Sequence, residues 1–182
     1  MPFVLLALVI VVVVSLVGIY NALIGLRNRV KNSWSQIDVQ LKRRHDLIPN
    51  LVETAKAYMK HERETLENIT KARSQAMNAN GVGNKSKAEG MLSDAIGRFM
   101  LVVENYPDLK ANQNFLSLQE ELTSTENKIA YARQAYNDQV LFFNNKIQMF
   151  PSNLVANMFS FKIEEFFGIA KKEKEVPKVN FS

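Results

Sequence analysis

The first 26 residues carry no charged side chain, and the next 18 carry six Lys or Arg. A helix needs about 20 apolar residues to cross the hydrocarbon of a bilayer, and the run Phe3–Leu26 supplies them. Phe3 to Ile19 is almost purely aliphatic. Tyr20 falls where an interfacial aromatic belt is expected, and Arg27, Arg29 and Lys31 follow, with Trp34 one turn beyond. These five form the expected membrane-interface group. A cleaved signal peptide would need a basic leader and a small-residue cleavage site. Only Met1 and Pro2 precede the run and Ser15-Leu16-Val17 is a poor site, so residues 1–26 are read as an uncleaved anchor. Flanking Lys and Arg stay on the cytoplasmic side, which places the N-terminus outside and the rest of the chain in the cytoplasm.

The rest is large enough for one domain with a real core. The net charge of +5 sits in residues 1–45, with six bases against Asp38, while the other 17 bases and 17 acids cancel. The basicity is therefore a collar beside the membrane, where each base can add on the order of 1 kcal/mol of attraction to an anionic leaflet. A nucleic-acid role would need a basic stripe on the folded domain, and none is visible. The absence of cysteine removes disulfides, thiol catalysis and Cys-ligated metals.

Glycine and proline are scarce, and apolar residues recur at helical spacing. Val30, Trp34, Ile37, Leu41, Ile48, Leu51, Ala55, Met59, Leu66, Ile69 and Ala76 make a seam of bundle or coiled-coil type. The spacing predicts one long helix continuing out of the anchor, with a kink or break at Pro49. A loop is expected at residues 78–84 and a second helix from Ser86 to Tyr106. A third, capped by Asn112, should run to Phe150 with Phe115, Leu122, Ile129, Tyr136, Val140 and Phe143 on its seam. The fold class is thus all-α: a transmembrane helix continuing into an antiparallel bundle of three to four helices over 27–168. A charged tail, 169–182, is expected to be disordered. At 1.5 Å per residue the third helix is nearly twice the roughly 30 Å of the second. Either Pro49 folds the first helix back, or the overhang packs on another copy.

Catalytic signatures are missing. His45 and His61 differ by about 160° around one helix, and no Glu-x-x-His, phosphate loop or nucleophile elbow occurs. No enzyme activity, cofactor or metal is expected. The polar residues that draw notice are those near the seam. Arg44 lies between Leu41 and Ile48 and either pairs with an acid, Glu121 or Glu126, or snorkels to water. Glu62 and Arg73 would add polar layers of the kind that fix register. Trp34 suits packing or lipid contact. Residues 150–167 hold five Phe. Among them Phe159, Phe161, Phe166 and Phe167 form either a flap closing the bundle or a patch that docks a partner, another subunit or a membrane.

Several stretches also resemble a known family. They are Tyr20-Asn21, Leu26-Arg-Asn-Arg-Val30, WSQIDVQLKRRHDLIPNLVE from Trp34, His61-Glu62 and Thr70-Lys-Ala-Arg73. Tyr106-Pro-Asp-Leu109, the Leu118–Asn127 pattern and FPSNLVANMFSFK from Phe150 complete the set. Together they are similar to the LemA family of bacterial membrane proteins over about residues 20–168. The resemblance implies a single-pass protein of the bacterial cell membrane with an all-helical bundle and no catalytic residues. It also implies association with membrane zinc metalloproteases or other membrane proteins. Two functions follow. The first is a membrane scaffold or adaptor that self-associates through the third-helix seam and the Phe-rich segment. The second is an accessory or regulatory subunit of a membrane protease or other complex. Lipid and further copies are the expected partners, with no nucleic acid and no small-molecule substrate.

Overall fold

A computed structural model describes residues 1–168, so the expected disordered tail lies outside the described residues. The chain forms α1 (Pro2–Lys56), α2 (Arg63–Asn78), α3 (Val82–Val103), α4 (Pro107–Lys110), α5 (Gln113–Gln148) and α6 (Ser152–Met158). No strand occurs among the described residues. The N-terminal part of α1 is long and apolar enough to cross a membrane, and its apolar side chains are exposed from Phe3 through Val17. Two compact units divide the chain. An anchor unit contains Met1–Ile37 and Ala132–Phe166; a bundle unit contains Asp38–Tyr131 with residues 167–168.

In the bundle unit, α1, α2, α3 and the first half of α5 surround one apolar core. Leu51 and Ala55, Ile69 and Ala76, Leu92 and Phe99, and Phe115 and Leu122 face it from the four helices. Side-chain pairs fix the directions. Asp38 meets Lys85 and Arg44 meets Glu89, so α1 and α3 run the same way. Arg44 meets Glu126 while Tyr58 meets Asn112, so α5 runs opposite to α1.

Of the kink or break expected at Pro49, the break does not occur: α1 continues through it to Lys56. Proline has no N–H for the carbonyl four residues earlier, which here is that of His45. The Arg73 Nε on α2 donates to that oxygen at 2.6 Å. A side chain from the next helix thus supplies the donor that proline removed, and the helix persists. The chain turns instead at residues 57–62, a stretch with neither Gly nor Pro. The turn is made by tertiary contacts. Met59 is buried, Asn112 Nδ2 donates to Tyr58 Oη at 3.0 Å, and the Tyr106 hydroxyl donates to Glu62 at 3.0 Å.

The expected loop is shorter than residues 78–84. Gly81 takes φ 80°, a region open chiefly to glycine, so α3 starts at Val82 and not at Ser86. Pro107 opens α4, whose Leu109 is fully buried. Asn112 caps α5 as expected, its Oδ1 accepting the Phe115 N–H at 3.0 Å.

In the anchor unit, the second half of α5 packs beside α1, with Trp34 edge-on to Tyr136 at 5.3 Å. The excess length of α5 therefore finds its neighbour on this chain's own α1. At the end of α5, Ser152 Oγ donates to the carbonyls of Lys146 and Met149 at 2.6 and 2.9 Å. After α6 the chain runs back as an extended segment. Asn144 holds Glu164 at both backbone groups, 2.9 Å each, and the Tyr136 hydroxyl donates to Glu165 O at 2.8 Å.

Candidate functional site

The largest concentration of chemistry lies inside the bundle unit. Arg44 is 1% exposed, and its guanidinium has three partners. It pairs with Glu89 on α3, donates to Glu126 on α5 at 2.6 Å, and donates to Ser93 at 2.9 Å. Of the two readings of Arg44, pairing holds and snorkelling does not. Glu126 is its partner; Glu121 instead meets Arg43 at 2.9 Å on the surface, where such a pair adds little.

Glu89 is the residue that seam-reading missed. It is 3% exposed and faces two bases, with His45 Nε2 3.0 Å from its second oxygen. That approach lies off the hydrogen-bond axis. Burial pushes the Glu89 carboxyl up, but the His45 ring and the Arg44 guanidinium outweigh it and hold it below the usual carboxylate range. In α3, Glu89 sits one helical step from Leu92 and Ser93, on the face that meets α1; a charged residue among the buried positions 92, 95, 96 and 99 was the available signal.

Arg73 and Glu62 are not members of this cluster. Arg73 serves the His45 carbonyl, and Glu62 accepts from Tyr106, whose hydroxyl is raised by burial and by that carboxylate. Among the described residues no group of three or more His, Cys, Asp or Glu is placed to hold a metal ion. A groove of about 710 Å³ runs over Val52, Met59 and Leu66. Two of its rim cations are matched within their own helices, Lys56 to Glu53 and Arg63 to Glu67.

The residues expected at the membrane interface gather in the anchor unit. Tyr20 contacts Phe159 at 4.7 Å and Phe161 at 6.0 Å between ring centroids. The Arg27 guanidinium lies 5.3 Å over the Phe161 ring, and Phe143 packs on the same ring. Arg29 and Lys31 are exposed. The Phe-rich segment divides. Phe167 is 4% exposed and acts as packing, whereas Phe159 and Phe166 remain 54% and 49% exposed. The seam of α5, including Phe115, Leu122, Tyr136 and Phe143, is buried within the chain.

These features define a membrane-associated all-helical protein with a charge-locked bundle. A sequence model of the LemA family matches residues 33–181, and the chain belongs to that family. Protein LemA of Metamycoplasma hominis is 32% identical over 142 residues, covering 77% of this chain. Magnetosome protein MamQ 2 of Paramagnetospirillum magneticum is 25% identical, and magnetosome protein MamQ of Magnetospirillum gryphiswaldense 24%, each over 174 residues and 81% of this chain. In each case the chain spans 64% of the relative's length.

Proposed function

We propose that this protein is a non-enzymatic membrane scaffold or adaptor that associates with further copies of itself at the cytoplasmic face of a bacterial cell membrane. One observation carries the reading: the buried charges of the bundle satisfy each other. Arg44, Glu89 and Glu126 are matched internally, so they hold helices in place and present no free acid, base or nucleophile to a substrate. What the bundle offers a partner is surface. On α5 the exposed strip Leu116, Gln119, Glu120, Thr123, Asn127 and Tyr131 lines a shallow concavity, with Tyr131 75% exposed. It carries one acid and, at Lys128, one base, so it is neutral and ends in an aromatic, which suits a protein partner. Since the α5 seam is internal, copies meet on this opposite face. Confinement to a membrane raises the effective concentration of copies, so a modest surface suffices. The collar of Arg27, Arg29 and Lys31 supports the cytoplasmic placement.

Native mass spectrometry of the full-length protein, gently extracted from its membrane, tests the reading. The expected result is a series at integer multiples of 20.7 kDa, collapsing to the single chain in Leu116→Glu/Tyr131→Glu. A single chain bound to a different polypeptide would replace the scaffold with an accessory subunit. An unchanged series in the double variant would remove α5 as the contact face.

A further inference from the structure

We infer that the corner between α5 and α6 is a second membrane-inserted element, dipping into the same leaflet from which α1 emerges. The corner has the composition for it. From Ile147 to Phe161 no side chain is charged, and Lys146 and Lys162 flank the stretch. Its inner residues, Ile147, Val155 and Ala156, are buried. Its outer residues are large, apolar and exposed: Met149 61%, Phe150 79%, Leu154 56%, Met158 69% and Phe159 54%. Five such side chains in eleven residues form a patch of the kind that marks an interaction surface.

Its position selects the occupant. The uncharged run Phe3–Leu26 is slightly longer than the about 20 residues a bilayer core requires. Every window of that length within the run contains Tyr20. Tyr20 is therefore at or below the hydrocarbon boundary wherever the span settles, and Phe159 touches it at 4.7 Å. Leu23, still inside the apolar run, is fully covered by protein. Phe161 is the next step outward, beneath the Arg27 guanidinium at headgroup level. The exposed side chains of the corner thus continue the lipid-facing surface of α1, and the lysines at either end can reach phosphates while their stems stay in the interface. Water at that depth would leave five apolar side chains solvated beside the bilayer; lipid covers them.

The chain has no cysteine, so single-cysteine variants report position cleanly. Phe150→Cys and Met158→Cys are labelled with a polarity-sensitive fluorophore in the full-length protein, reconstituted into phosphatidylcholine vesicles containing phosphatidylglycerol. Val17→Cys in the span and Leu101→Cys, 71% exposed on α3, are references. Nitroxide on the lipid acyl chains is expected to quench labels at 150 and 158 several-fold more than at 101 and nearly as much as at 17, with aqueous iodide showing the reverse order. Iodide quenching at 150 and 158 equal to that at 101 would place the corner in water. Protection from both quenchers would mean that protein covers it. Either result overturns the inference, and neither bears on whether copies associate through α5.

Discussion

Replacing Glu89 by Gln keeps the shape of the side chain and removes its charge. Arg44, 1% exposed, would then be balanced by Glu126 alone, whose side chain is 34% exposed. Breaking a buried pair by removing one member costs about 3–5 kcal/mol, because the charge left behind is uncompensated. Glu126 still compensates part of it, so we expect about 3 kcal/mol. For a chain of this size that is a fall in Tm of about 6–12 °C, read by far-ultraviolet circular dichroism of the full-length protein in detergent micelles. The loss carries a pH signature. The Glu89 carboxyl is held below its ordinary range in the folded state. A lowered carboxyl contributes stability that is present above its unfolded value, near 4, and is lost as pH falls through the folded value. The gap between wild type and Glu89→Gln should therefore be full at neutral pH and close below about pH 4. Replacing both charges, Arg44→Met with Glu89→Met, should cost at least about 2 kcal/mol less than the two single changes added together. A Glu89→Gln variant within about 1 kcal/mol of wild type, a pH-independent gap, or simple additivity in the double variant would refute the mutual neutralisation of Arg44 and Glu89.

Two further expectations rest on single contacts. Arg73→Met should leave the His45 carbonyl without its donor and cost about 1–3 kcal/mol. The cost should shrink in a Pro49→Ala background, where residue 49 regains the N–H. Equal costs in both backgrounds, measured as a double-mutant cycle of thermal unfolding, would sever the link between Pro49 and Arg73. The Tyr136 hydroxyl is pushed up to about 12 by burial, with Glu164 and Glu165 adding to it. A raised hydroxyl gives stability that is complete below its ordinary value, near 10, and lost as pH rises through the folded value. Trp34 is the chain's one tryptophan and touches Tyr136. Its fluorescence should fall with a late tyrosinate step near 12 that is missing in Tyr136→Phe; persistence of that step in the variant would assign it to another tyrosine.

What could be read from the sequence follows from what local pattern encodes. The anchor, the apolar seams and the Asn112 cap are local signals, and the helices carry them. The acid partner of Arg44 was half legible: a buried base demands an acid, but choosing Glu89 requires knowing that α3 runs alongside α1 in register with Arg44. The turn at residues 57–62 carried no signal, because Met59 is held by the core, Tyr58 by Asn112 and Glu62 by Tyr106. The continuity of α1 through Pro49 was hidden for the same reason. Its local effect is correctly a lost hydrogen bond at His45, and the replacement donor, Arg73, is 28 residues away. The Phe-rich segment hid which of its rings are buried and which exposed, since five rings spread over 18 residues show no helical period and part of the segment is extended.

A charged layer inside this bundle has a use that an apolar one would lack. Seams of three- and four-residue steps nearly repeat after one helical turn, so helices lined with Leu, Ile, Val and Ala can slip by a turn and still bury similar surface. A slip of one turn moves a side chain by about 5.4 Å. That is far outside the 2.6 Å contact of Arg44 with Glu126 and the 3.0 Å contact of His45 with Glu89. It would leave a buried base and a buried acid apart, at a cost of several kcal/mol. The His45 carbonyl adds a second lock on α2, because only one register brings Arg73 to the oxygen that Pro49 exposes. Three helices are thus tied to one short stretch of α1, residues 44–49. A bundle locked in this way keeps its outer faces in fixed relation to each other. Fixed outer faces, the exposed strip on α5 among them, are what the proposed scaffold requires.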